Sequence, residues 1–259
     1  MPSVPSTIPP TLAEAFRSLG LRRTAEELPD LLARATRTRW SPVQLLEELA
    51  RAETQDRARR SLERRLTRAR LGRFKPMADF DWAWPKALDR AAVERVLGLG
   101  FLEDGSNVIL AGAQGLGKTM IARNVAHQAV LQGHSVRCVT AAELLLDLGG
   151  QETSRALERR LRAAVKPRLL AIDELGYLTY DNRAADLLFQ VISRRYERTS
   201  ILVTTNLAFK DWGTVFPNAA CVTALIDRLT HHAEIIAISG ESYRRREAEA
   251  TQKARRGKP

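Results

Sequence analysis

The chain has 259 residues, 44% of them hydrophobic and 27% charged, enough for one large domain or a standard domain with a small companion. No apolar run approaches the ~18–20 residues needed to span a bilayer, so an integral membrane protein is excluded at this level. Forty-one Lys and Arg against thirty Asp and Glu give a formal charge of +11, a field that attracts polyanions such as nucleic acid or an anionic membrane surface.

Residues 1–76 read as helical and basic, without strand-like alternation. Met1 to Pro10 is rich in Pro and Ser and lacks the basic-then-apolar layout of a signal peptide. Leu12, Ala15, Phe16, Leu19 and Leu21 fit a short amphipathic helix ended by Gly20. Pro42 to Ala50 predicts a second helix, with Ser41 as N-cap and Pro42 in the first turn. From Arg51 to Lys75 arginines dominate, and Leu62, Leu66 and Ala69 keep only a thin apolar stripe at helical spacing. That describes a helix with a narrow buried edge and a broad cationic surface. Gly72 and Pro76 break it. The aromatic segment Asp79-Phe80-Asp81-Trp82-Ala83-Trp84-Pro85 follows, and an amphipathic stretch from Arg90 to Leu102 leads onward.

From Asn107 the texture changes. Apolar strand candidates at Asn107–Ala111, Ser135–Thr140, Arg168–Asp173, Ser200–Thr205 and Glu234–Ser239 alternate with helical patterns near 118–131, 142–165, 183–197 and 221–232. Short buried-type strands alternating with helices predict an α/β fold whose parallel sheet is covered on both faces. The expected division is therefore a helical unit over 1–76, an α/β domain over 77–243 and a charged, mobile tail over 244–259.

The first strand candidate runs into Gly112-Ala113-Gln114-Gly115-Leu116-Gly117-Lys118-Thr119, with Met120 next and an amphipathic helix behind it. This is a complete P-loop in its proper context. Glycines let backbone N–H groups turn toward phosphate oxygens, and the helix N-terminus adds a favourable dipole. Lys118 would reach the β- and γ-phosphates of ATP, and the Thr119 hydroxyl would ligate Mg²⁺. A second signal is Leu169-Leu170-Ala171-Ile172-Asp173-Glu174, an apolar strand that delivers two acids to the ligand-binding edge of a parallel sheet. Asp173 would hold Mg²⁺ and Glu174 would polarise the attacking water. The third signal is Val203-Thr204-Thr205-Asn206, where Asn206 could orient that water beside the γ-phosphate. Together these residues predict an ATPase.

The P-loop, Ile172-Asp173-Glu174-Leu175-Gly176-Tyr177 and Thr204-Thr205-Asn206 resemble the AAA+ ATPases of the initiator and helicase-loader clade. More narrowly, the chain resembles the IstB-like helpers of insertion-sequence transposition across roughly residues 10 to 246. The Arg-rich helix before Phe80-Asp81-Trp82, the Asp173–Tyr177 run and the ending Ile235 to Arg244 carry that likeness. The resemblance implies a P-loop AAA+ core with a five-stranded parallel sheet in the order 5-1-4-3-2, a small all-helical N-terminal domain and no C-terminal lid domain. It also implies ATP sites shared between subunits of a homo-oligomer, with an arginine supplied in trans. Arg228, within Ile226-Asp227-Arg228-Leu229, sits where the clade places that arginine, with Arg194, Arg195 and Arg244 as competitors. Arg244 could also stand in for a lid-borne sensor. The implied partners are duplex DNA and a cognate transposase. A helicase loader of the DnaC type is the alternative, and a metabolic P-loop kinase or a non-hydrolysing scaffold are more distant ones.

Two basic stretches are candidate DNA contacts: Arg57, Arg59, Arg60, Arg64, Arg65 and Arg68 on the first, Arg155 and Arg159 on the second. Arginines without interleaved aromatics point to backbone contacts, with strong salt dependence and weak sequence preference. For each stretch a solvated helix face is the competing reading. Phe80, Trp82 and Trp84 suit either packing at a domain junction or stacking on a base. His231-His232 has no third metal ligand at a sensible spacing in the sequence, so no metal site is expected there. Cys138 and Cys221 lie far apart and outside any Cys-x-x-Cys pattern, which fits a reducing, cytoplasmic setting and makes nucleic acid, not membrane, the expected polyanion.

Overall fold

A computed structural model describes residues 10–177, 180–216 and 221–256. The chain divides into two compact units between Arg64 and Arg65. The first holds α1 (Pro10–Ser18), α2 (Arg22–Arg37) and most of α3 (Pro42–Ala69). Gly20, at φ +77°, closes α1 as the sequence suggests, its N–H bonding back to the Arg17 carbonyl. Ser41 and Gln44 form a reciprocal cap on α3, with Ser41 Oγ accepting from the Gln44 N–H at 3.2 Å. The helices expected over 42–50 and 51–75 are one helix. It stops at Ala69, where Arg70 and Gly72 both turn to positive φ. Buried Glu53 joins α3 to α2 by accepting from the Thr24 backbone N–H at 3.3 Å.

The second unit contains five parallel strands: β1 (Asn107–Gly112), β2 (Val136–Thr140), β3 (Leu169–Leu175), β4 (Ser200–Thr205) and β5 (Ala233–Ile238). Their spatial order is β2-β3-β4-β1-β5, which is the order expected from the resemblance. Ile109, Leu170, Ile172 and Val203 are fully buried between helices, as a parallel sheet covered on both faces requires. The helices are α4 (Arg90–Leu97), α5 (Phe101–Asp104), α6 (Lys118–Leu131), α7 (Ala141–Gly149), α8 (Ser154–Val165), α9 (Asn182–Arg195), α10 (Trp212–Val215), α11 (Cys221–Thr230) and α12 (Tyr243–Arg256).

Two expectations are corrected by local chemistry, and the tail gains a helix. The single helix over 142–165 is two, α7 and α8. Thr140 and Glu143 make a full capping box on the first, Gly149 ends it with Gly150 beyond, and Thr153 caps the second. The stretch from Arg90 to Leu102 also breaks, at Gly98 and at Leu99, which has φ +67°. The charged tail is helical from Tyr243 to Arg256, supported by Ser242 Oγ near the Arg245 N–H and by an Arg245–Glu249 pair at 2.9 Å. No helix among the described residues is long and apolar enough to cross a membrane.

Candidate nucleotide site

The P-loop lies between the end of β1 and the start of α6, and its glycines do distinct things. Gly112, Gly115 and Gly117 all have positive φ, and a Cβ on Gly112 would fall 2.1 Å from the Ile238 carbonyl oxygen. Lys118 opens α6, and its ammonium donates to the carbonyls of Gly112 and Ala113, each at 2.6 Å. Burial lowers the pKa of Lys118, partly offset by the nearby charge of Asp173, while Arg244 lowers it further.

Across the loop, β3 delivers Asp173 and Glu174. The Thr119 hydroxyl donates to Asp173 Oδ1 at 2.9 Å. The Thr204 hydroxyl donates to the same oxygen and accepts from the Glu174 N–H at 3.0 Å. The β3–β4 register slips between Ile172 and Leu175, and inside that bulge Glu174 adopts φ +62°. A bulge re-aims a side chain, and a non-glycine residue in the left-handed region persists only where its surroundings enforce it. Here the enforcing contact is Thr204.

Two cavities meet at the P-loop. The smaller, about 80 Å³, is lined by Gln114, Gly115, Lys118, Thr119, Glu174 and Asn206, with Tyr177, Thr204, Thr205 and Arg244 completing it. The larger, about 260 Å³, runs past Leu116, Gly117 and Met120 to Phe80, Trp84 and Tyr243. Phe80 is buried against Gly117 and packs edge-on to Trp82 at 4.8 Å between ring centroids. Asn124 of α6 fixes this segment through the Met77 N–H at 3.0 Å and the Lys75 carbonyl at 2.9 Å. The aromatics therefore pack, and Phe80 and Trp84 also line the larger cavity. At the other side, the Tyr243 N–H bonds to the Gly115 carbonyl at 2.9 Å and brings Arg244 to both cavities.

Lys118, Thr119, Asp173, Glu174 and Asn206 thus converge on one place. Arg228 does not. It lies on α11 with its guanidinium 4.7 Å from the centroid of the Phe189 ring and lines neither cavity. Of its competitors, Arg194 is engaged by both oxygens of Glu158, at 3.0 and 2.9 Å. Arg195 is fully buried and donates to the carbonyls of Ala164, Val165, Pro167, Arg168 and Ser200, a structural rivet at the sheet's lower edge. Burial, with repulsion from Arg168, lowers its pKa to about 9. Thr204 and Tyr177 are site residues that motif spacing alone does not mark, although both lie inside the runs that carry the resemblance.

A family model described as IstB-like ATP binding protein matches residues 14–251. The chain belongs to that family. It is 36% identical over 229 residues to a protein of Pseudomonas aeruginosa named for ATP binding in insertion sequence IS21, covering 88% of this chain and 86% of that one. A Geobacillus stearothermophilus protein named likewise for insertion sequence IS5376 is 36% identical over 204 residues, 79% of this chain and 81% of its own. Among solved structures, DnaI superposes with a TM-score of 0.52 at 20% identity, over 64% of this chain and 89% of that one. DnaA of Aquifex aeolicus bound to AMPPCP gives 0.54 at 17% identity, over 71% and 56%. These two likenesses show the fold, an AAA+ P-loop core, and the IstB-like family makes the chain an ATP-binding protein.

The candidate DNA arginines have different surroundings. On α3, Arg57 lies 3.5 Å from Glu53, Arg59 pairs with Asp56 and Glu63 at 2.7 and 2.8 Å, and Arg60 pairs with Asp56 at 2.6 Å. Arg65 donates to the Val130 carbonyl at 3.2 Å. Arg64, Arg68, Arg155 and Arg159 are exposed, with no ion pair to any other described residue.

Proposed function

We propose that this IstB-like protein hydrolyses ATP and uses it to control assembly on duplex target DNA, where it assists a partner transposase. The observation that carries the reading is the convergence of Lys118, Thr119, Glu174 and Asn206 on one small cavity, with Glu174 held at positive φ by Thr204. Lys118 neutralises the β- and γ-phosphate oxygens. Thr119 and Asp173 put two oxygen ligands 2.9 Å apart, a donor set that suits the hard cation Mg²⁺. Once bound, Mg²⁺ supplies charge neutralisation on the phosphates. Glu174 accepts the proton of the attacking water, and Asn206 orients that water.

An arginine that lines neither cavity of its own chain is free to serve a neighbour's, so Arg228 acts in trans when ATP joins two subunits. Hydrolysis then dismantles or resets the oligomer. The positive charge of the chain supports DNA as a partner, and the insertion-sequence names of its relatives support a transposase over a helicase.

Sizing the protein on duplex DNA with and without ATP tests this. ATP should produce a larger DNA-bound species, and a monomer in both conditions overturns the assembly model. Mixing Lys118→Ala with Arg228→Ala should restore part of the activity that each lacks alone. Absence of rescue removes Arg228 from the trans role.

A further inference from the structure

At the edge of the sheet opposite the P-loop, the connections entering β4 and β5 meet. Glu197 lies within the turn after α9 and His232 ends the turn after α11, at φ +54° and +56°. Non-glycine residues seldom take this conformation, and here it turns both side chains, with that of His231, toward one spot. Glu197 Oε1 lies 3.9 Å from His231 Nδ1 and 3.9 Å from His232 Nε2. One ligand atom from each of the three residues falls within 4.8 Å of the other two. The third ligand missing from the local sequence is thus supplied from 34 residues upstream of His231.

We propose that Glu197, His231 and His232 form a binding site for one divalent transition-metal ion of the zinc type, with water completing the coordination. Two imidazoles and a carboxylate are a common ligand set for such ions, and imidazole selects them over Mg²⁺ and Ca²⁺. Tetrahedral ligands on bonds of 2.0–2.1 Å stand ~3.3 Å apart, so each carboxylate–imidazole pair needs to close by roughly half an ångström. The three side chains are 49 to 61% exposed, which leaves room for that rotation. The Tyr196 hydroxyl, 2.6 Å from His231 Nδ1, competes with the metal for that nitrogen and is displaced when the ion binds. A bound ion would tie the α9–β4 and α11–β5 connections together. The strands put it about 20 Å from the nucleotide, since six residues rise ~3.3 Å each. Nucleotide binding should therefore be independent of it.

The test is titration of the full chain with Zn²⁺ in excess Mg²⁺, which fills oxygen sites without competing for imidazole. One ion per chain is expected, with affinity at least tenfold weaker in His232→Ala and in Glu197→Gln and unchanged in the double variant His127→Ala, His134→Ala. Tyr196→Phe should bind Zn²⁺ at least as tightly, because His231 Nδ1 loses its competitor. Substitution by Co²⁺ should give a visible spectrum of nitrogen-ligated, four-coordinate metal that His232→Ala abolishes. ATP binding by each variant reports that it is folded. Unchanged Zn²⁺ affinity in folded His232→Ala and Glu197→Gln overturns the proposal, as does loss of affinity in the double variant alone.

Discussion

At the carboxyl edge of the sheet one acid, Asp173, is held by the hydroxyls of Thr119 and Thr204, whereas along α3 three acids, Glu53, Asp56 and Glu63, serve three arginines. In the first region neutral hydroxyl donors, not arginines, fix the Asp173 carboxylate. In the second, much of the positive charge is already met inside the helix. A net charge of +11 therefore overstates what α3 offers to phosphate, and the useful cations are those without partners. Charge at the nucleotide edge is built to act locally. Charge on α3 is partly spent on the helix itself.

The largest effect that can break this comparison is at Glu174. Replacing it with Gln keeps shape but removes the proposed base, and general-base removal lowers turnover by ~10²–10⁴-fold. ATP binding should be retained, as read by a fluorescent analogue, while phosphate release collapses. Near-normal turnover would mean that the strained bulge at Glu174 serves structure alone.

A smaller effect separates the arginines. Removing Arg64 and Arg68 should lower the slope of log affinity for duplex DNA against log salt by about 0.9 for each phosphate that the variant no longer neutralises. Arg59→Ala should change it less, because Arg59 already answers Asp56 and Glu63. Anisotropy titrations across a salt series measure both. Equal slopes for the two variants would show that the internal pairs open on DNA, and the contrast between the two regions would fail.

Much of the nucleotide edge was legible in the sequence because its chemistry demands fixed residue types at fixed spacing. Gly112 to Thr119, Asp173-Glu174 and Asn206 converge as expected, and the strand pattern was readable from its short apolar runs. The role of Thr204 was not readable, since it depends on the slipped register that sets β4 against Glu174. Arg195 stood among the competitors for the arginine acting in trans, yet five carbonyls enclose it, a fact of tertiary packing alone. The break between α7 and α8 was signalled by Gly149, Gly150 and Thr153, and continuous apolar spacing masked it. Glu197 meets His231 and His232 only because two connections end at the same sheet edge, which no local spacing encodes.

The smallest effect concerns the second basic stretch, where α8 repeats the habit of α3. Hydrogen bonds from Arg194 and then Arg162 hold Glu158 down at about 2, against an ordinary value of 4.5. The sign follows from the depressed pKa: the stabilisation is complete above pH 4.5 and is lost as pH falls toward 2. Glu158 is 40% exposed, so solvent screens the pair and the contribution is modest. Glu158→Gln should flatten the fall of thermal midpoint across that acid window, with little change at neutral pH. If the acid profile is unchanged, the bidentate Arg194 pairing does not persist in solution. Arg194 would then join Arg155 and Arg159 as an unpaired cation on α8 and its neighbour α9, and this face would rival α3 for DNA.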